Sequence, residues 1–277
     1  MPLTEQQLAF IETFGYLHFP GLLKDDADQI IEAFEYIWEE HGGGHDGHQH
    51  EGTERSCIVP FIGQSETLSA LLDDPRVDGI CKSLMGEDYQ YIGSDGNYYV
   101  GDTRWHSDGG WPRPIRFYKM ALYLDKLTRE TGAIRVIPGS HKYGDDYAEG
   151  IQKEISNSEE LWGISGDQVP AVAVETDPGD VVVFNQGCKH SSWGGGNHRR
   201  MFTINFTRRY RDDELDHLRQ EVTNFARFWI DSVYGEAMVR TATPSRMKHL
   251  EQALANQDHL AELSRKHKEE HAEPSRG

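Results

Sequence analysis

The sequence predicts an α+β fold, with a core of short antiparallel strands arranged as a β-sandwich or jelly roll and helices on either side of it. Three observations lead there. From residue 89 onward, short β-prone runs recur at 89–92, 97–100, 115–124, 133–137, 171–175, 180–184 and 199–207, separated by Gly, Asp and Pro. No helical pattern alternates with them, which disfavours a parallel βαβ sheet. The flanking segments carry apolar residues at helical spacing. One domain over 1–277 is expected, its β core at about 89–210 and a helical extension at about 211–277.

Composition narrows the class further. A hydrophobic share of 37% and an aromatic share of 10% suit a packed core rather than disorder. No apolar run approaches the roughly 18–20 residues that span a bilayer. The first residues lack a basic stretch followed by an apolar one, so a cytoplasmic protein is expected. Cys57, Cys81 and Cys188 are odd in number and widely spaced, which argues against a disulfide framework and for a reducing compartment. With 28 Lys+Arg against 46 Asp+Glu, the formal charge is −18. Such a field repels nucleic acid and anionic membranes, and its simplest reading is solubility or a salt-rich habitat.

Taken in order, Thr4 with Gln7 three residues on forms a capping box. Leu8, Ile11 and Phe14 continue a helix that Gly15 ends. Residues 16–21 read as a short strand and turn. A second helix starts near Asp26, with Ile30, Ile31, Phe34, Ile37 and Trp38 along one side. The stretch 42–50 is rich in Gly and His. Clustered histidines invite a metal, but no carboxylate or cysteine at site-like spacing completes a shell, so a flexible loop is the simpler expectation. Residues 68–84 form an amphipathic helix interrupted at Pro75. After Tyr210 the spacing of Leu215, Leu218, Val222, Phe225 and Trp229 is helical again. Met247, Leu250, Leu254 and Ala261 suggest another helix. These helices either pack on the core or provide a homodimer contact.

The chemistry concentrates in two stretches. In Trp105-His106-Ser107-Asp108-Gly109-Gly110-Trp111, His106 and Asp108 stand at i and i+2, so an extended backbone projects both to one face. Alone, a His-x-Asp pair is more often a surface turn with a hydrogen bond. Downstream, Gly179-Asp180 feeds an apolar strand, and the chain turns polar where His190 arrives, at a rigid strand end. Two histidines and one carboxylate make the facial triad that leaves positions open on non-haem Fe(II). Arg199 and Arg200 then open a further strand. A guanidinium there, opposite a hydroxyl, suits a carboxylate held bidentately.

In this order the motifs resemble the phytanoyl-CoA dioxygenase family of Fe(II)/2-oxoglutarate oxygenases. The matching stretches are Phe14–Leu23, Trp105–Asp108, Thr131–His141, Pro178–Asp180, His190 and the Arg199 strand. The resemblance implies a double-stranded β-helix, the jelly-roll or cupin-like barrel, for the core. It implies His106, Asp108 and His190 as iron ligands, and Arg199 with Ser192 as the clamp on the distal carboxylate of 2-oxoglutarate. The family register selects Arg199 over Arg200, and parity agrees, since Arg199, Met201, Thr203 and Asn205 share one face. Where relatives commonly carry a tryptophan after the His-x-Asp motif, this chain has Ala121, with Lys119 and Tyr123 on the same face; one of these two is expected to compensate, and Tyr123 is expected beside the co-substrate. Asn97 is expected there too, while Tyr99 and Trp111 are candidate substrate walls. His141, His198, Cys188 and Arg135 are set aside as turn, loop or packing residues.

The implied reaction uses O2 and 2-oxoglutarate to hydroxylate an unactivated C–H bond, releasing succinate and CO2, with no catalytic side chain beyond the metal ligands. Halogenating relatives lack the carboxylate that Asp108 supplies. Desaturation, epimerisation and endoperoxide formation are the alternatives within the family. A cupin-like isomerase or a metal-binding module is the alternative outside it, and neither needs Arg199. The ectoine-hydroxylase signature is missing around 105–113, and the acidity disfavours a CoA thioester. A small polar or natural-product-like molecule is therefore expected as substrate.

Overall fold

The computed structural model describes residues 1–111 and 113–277. Its contacts gather these residues into two compact units, one of residues 4–27 and 99–201, the other of 1–3, 28–98 and 202–277. The strands are β1 (Tyr16–Phe19), β2 (Ser56–Ile58), β3 (Gln90–Gly93), β4 (Gly96–Tyr99), β5 (Thr103–His106), β6 (Phe117–Tyr123), β7 (Ile134–Val136), β8 (Val172–Val174), β9 (Val181–Asn185), β10 (His190–Ser192) and β11 (Arg199–Thr207). The α-helices are α1 (Glu5–Phe14), α2 (Ala27–Glu40), α3 (Glu66–Ser69), α4 (Pro75–Met85), α5 (Asp146–Glu154), α6 (Ser158–Trp162), α7 (Leu215–Thr223), α8 (Glu236–Arg240), α9 (Pro244–Leu254) and α10 (Leu260–Glu270).

The unit of residues 4–27 and 99–201 is a jelly roll fronted by α1. Both halves of the capping box form: Gln7 N–H donates to Thr4 Oγ1 at 3.2 Å and Thr4 N–H to Gln7 Oε1 at 2.9 Å. Gly15 closes the helix at φ 88° and donates its N–H to Ile11 O. A Cβ there would stand 2.6 Å from Nδ1 of His141, so this left-handed position needs glycine twice over. β1 then pairs antiparallel with β9, Tyr16 opposite Phe184, and β9 pairs with β6, Lys119 opposite Phe184. Every residue of β9 is buried, as its unbroken apolar run foretells. The second sheet runs β5-β10-β7-β8. Ala121, Tyr123, Ile134, Val136, Val174, Val182, Phe184 and Met201 from the strands of both sheets, with Cys188 from the turn before β10, fill the interior between them.

The other unit is helical around β2, β3, β4 and the far part of β11. Phe34 and Trp38 of α2 pack with Phe61, Tyr98 and Phe202. β3 pairs with β11, and β2 with β4. Leu250 and Ala253 of α9 and Leu260 of α10 are buried within the unit. The 42–50 stretch is anchored there, since His45 lies between the carbonyls of Cys57 and Pro274 at 3.1 and 3.0 Å.

Several elements differ from the sequence expectation. Pro75 begins α4 at its first turn, where a missing N–H costs nothing, rather than interrupting one helix. His190 opens its own strand, β10, after a turn, instead of ending the strand before it. Asp108 stands in a turn two residues past His106, the last residue of β5. The expected helix through 247–261 is two, α9 and α10, and α5 and α6 were not anticipated.

Candidate active site

The geometry starts with strand pairing. His106 lies opposite His190 in the β5–β10 register, which brings their rings to 4.2 Å between centroids. The next residues leave the strand, and Asp108 N–H donates to Gln186 O at 2.8 Å, fixing the turn. That turn swings the carboxylate under the two imidazoles. Asp108 Oδ1 is 3.6 Å from His106 Nε2, and Oδ2 is 3.8 Å from His190 Nε2. One ligand atom from each of the three lies within 4.8 Å of the others, the sole such trio with metal-binding groups among the described residues.

Both imidazoles are oriented by main-chain acceptors. His106 Nδ1 donates to Arg104 O at 2.7 Å and His190 Nδ1 to Cys188 O at 2.9 Å. The proton on Nδ1 leaves the Nε2 lone pair facing the centre, as a metal ligand requires. Burial, with His106 as the next contribution, pushes His190 down to about 3, so the ring is neutral near pH 7. Asp108 is held well below the usual carboxylate range. Burial opposes this, but Lys119 and then the two histidines outweigh it. Lys119 Nζ stands 2.7 Å from Asp108 Oδ2. That oxygen is enclosed, with the Lys119 ammonium set against it. An electron pair so placed, beside two outward Nε2 atoms, fits a divalent cation.

A second cluster surrounds Arg199, which is 5% exposed at the start of β11. Its Nη2 donates to Ser192 Oγ and its Nη1 to Gly132 O, both at 2.9 Å. Tyr99 lies beneath the guanidinium at 5.3 Å; burial lowers the guanidinium from its usual range, with Tyr123 and then Tyr99 opposing it. A Cβ on Gly132 would stand 1.9 Å from Nη1, so glycine there makes room for the arginine. Arg200 points away and is held by Asp125 at 2.6 Å. Asn97 was expected beside the co-substrate. It belongs to the other unit, where Arg55 donates to its Oδ1 at 2.6 and 2.8 Å and it donates to Asp95 at 2.6 Å.

Residues 11–201 match the sequence profile of Phytanoyl-CoA dioxygenase (PhyH), well over half of the chain. The chain belongs to the phytanoyl-CoA dioxygenase family. A curated relative, the ectoine dioxygenase of Sphingopyxis alaskensis (strain DSM 13593 / LMG 18877 / RB2256), is 27% identical over 167 residues, 52% of this chain and 54% of the relative. The chain thus spans about half the length of that relative. The non-heme alpha-ketoglutarate-dependent carbocyclase SnoK from nogalamycin biosynthesis has a similar structure, with TM-score 0.59 and 21% identity over 74% of this chain and 84% of that one. EctD from S. alaskensis with bound Fe gives 0.58 and 22%, over 75% and 77%. HygX from Streptomyces hygroscopicus with nickel and 2-oxoglutarate bound gives 0.56 and 15%, over 76% and 89%. At these identities the three share the fold.

The phytanoyl-CoA dioxygenase family consists of Fe(II)/2-oxoglutarate-dependent oxygenases, and the residues here fit both groups. The donor set of two imidazoles and a carboxylate suits Fe(II), and a buried guanidinium beside a hydroxyl suits a carboxylate. The residues set aside also have clear placements. His141 packs on Gly15, and His198 is exposed. Cys188 donates to Ile137 O at 3.4 Å, and Arg135 donates to the carbonyls of Arg129 and Asp167.

Trp111 is steered from outside the β core. Its Nε1 donates to Glu149 Oε2 at 3.0 Å, and Lys189 Nζ lies 3.6 Å over its ring. Ser107 Oγ donates to Gln152 Oε1 at 3.3 Å. Glu149 and Gln152 both come from α5, which the sequence reading missed. Asp145, capping the N–H groups of Tyr147 and Ala148, with Ala148, Ile151 and Ile155 at helical spacing, is the signal that reveals it.

Proposed function

We propose that this chain is a dioxygenase that hydroxylates an unactivated C–H bond of a small polar or natural-product-like molecule, with release of succinate and CO2. The observation that carries the proposal is that β10 brings His190 into one cluster and Ser192 into another. His106, Asp108 and His190 converge in one, and Arg199 on Ser192 stands in the other, with Tyr99 and Tyr123 beside it.

Iron with 2-oxoglutarate supplies the oxidation of the C–H bond by O2, coupled to decarboxylation of the co-substrate. The chain supplies position. His106 and His190 keep Nε2 unprotonated through their main-chain acceptors, Asp108 gives the charged ligand, and Arg199 and Ser192 hold the far carboxylate. Asp108 occupies the place that a halide takes in halogenating relatives, which favours oxygen transfer. One of the similar structures is a carbocyclase from nogalamycin biosynthesis, which supports a natural-product-like substrate. Trp111, fixed by Glu149 and Lys189, and Tyr99 are the walls proposed for it.

Adding Fe(II) and 2-oxoglutarate without oxygen tests this directly. A weak visible charge-transfer band is expected by analogy with other chelates of this class, and His106→Ala should abolish it. No band from intact protein, or an unchanged band in His106→Ala, rejects the assignment. Succinate release across a panel of small metabolites then identifies the substrate.

A further inference from the structure

Lys119 stands in the middle of β6, opposite Phe184 of β9, with its side chain 17% exposed. Its Nζ lies 2.7 Å from Asp108 Oδ2, an ion pair that also acts as a hydrogen bond to the carboxylate. A fixed positive charge against a metal-ligating carboxylate has two opposite effects. Before a metal arrives, it offsets the cost of keeping Asp108 charged in a buried place. Once a divalent cation shares that carboxylate, ammonium and cation repel each other across a few ångström of partly buried protein. Two neutral imidazoles and one carboxylate neutralise only one of the cation's two charges, so the repulsion persists until an anion binds.

We propose that Lys119 is a positioning residue that couples the metal to 2-oxoglutarate. It stands in for the cation at Asp108 in the empty site, weakens binding of the metal alone, and becomes a counter-charge for the dianionic co-substrate. The co-substrate half rests on the function proposed above; the metal half rests on the Lys119–Asp108 contact alone. The arrangement makes the loaded site form together rather than stepwise.

The test is calorimetric titration of the protein with Co(II), in the absence and presence of 2-oxoglutarate, comparing wild type with Lys119→Met, Lys119→Gln and Lys119→Arg. Removing the charge should tighten Co(II) binding alone by about tenfold and weaken 2-oxoglutarate binding to the Co(II) form by about tenfold. Lys119→Arg should stay within about threefold of wild type on both measures. Lys119→Gln carries the comparison should Lys119→Met fail to fold. Unchanged or weaker Co(II) affinity in the neutral variants overturns the proposal. Co(II) binding that tightens while 2-oxoglutarate binds none of the proteins, wild type included, overturns the co-substrate assignment and with it the coupling, and leaves only the metal half standing.

Discussion

The two adjacent arginines at the head of β11 differ in what they can do. Arg199 is buried on Ser192 and Gly132, whereas Arg200 is already satisfied by Asp125. Arg199→Ala should weaken 2-oxoglutarate binding about a hundredfold, the loss of a buried charge-assisted pair. Arg200→Ala should leave it within about threefold and cost about 1 kcal/mol of stability, since its pair is partly exposed. Titration of both variants checks this, and equal losses would reject the role given to Arg199. This contrast was legible in the sequence, because parity along a strand separates neighbours by face. The environment of Asn97 was not. Its parity with Tyr99 suggested a shared pocket, yet its amide is taken by Arg55, brought from elsewhere in the chain by the β2–β4 pairing. Strand parity gives a direction, and only long-range register says what lies there. Lys119 shows the same limit: its face was readable, its partner Asp108 was not.

Among the elements, the end of α1 joins local signals to a distant turn. Gly15 closes the helix, and His141 from the loop after β7 fills the space that a side chain there would need. Gly15→Ala should destabilise the fold by about 2–3 kcal/mol, combining left-handed strain with overlap. Burial pushes the His141 imidazole down to about 4. The sign follows: below about pH 6.5 the unfolded chain takes a proton that the folded ring refuses, so stability falls with pH until about 4 and then levels. His141→Gln should remove about 2 kcal/mol of that decline, once the ring's partial exposure is allowed for. Thermal melts of both proteins at pH 7, 5.5 and 4 measure it, and parallel pH profiles would contradict it. The capping box and the terminating glycine were readable because such signals are local. The five-residue helix α6 was not, because so short a helix leaves little periodicity, and α5 is marked only by the Asp145 cap and three apolar residues.

For the whole molecule, the metal-binding unit is assembled from residues 4–27 and 99–201, with the intervening segment folded into the other unit. Composition shows no boundary at either crossing, so a reading of one continuous chain could place the strands but not this exchange. Charge acts at this scale too. A net −18 repels itself in the folded state, while the surface pairs are individually weak. Raising NaCl from 10 to 300 mM, about a fivefold shortening of the screening length, should therefore raise the melting temperature by a few degrees. A fall would mean that the ion pairs outweigh the net repulsion.

The hydrogen bonds that orient His106 and His190 end on the carbonyls of Arg104 and Cys188, each two residues earlier in the same segment. A carbonyl is common to all twenty residue types. Replacing Arg104 or Cys188 therefore leaves the tautomer-setting acceptor in place, and no second side chain has to be inherited along with each histidine. Such a centre tolerates drift in its surroundings. Lineages built on it can exchange the walls of the pocket, and with them the molecule that is oxidised, without rebuilding the part that holds the metal.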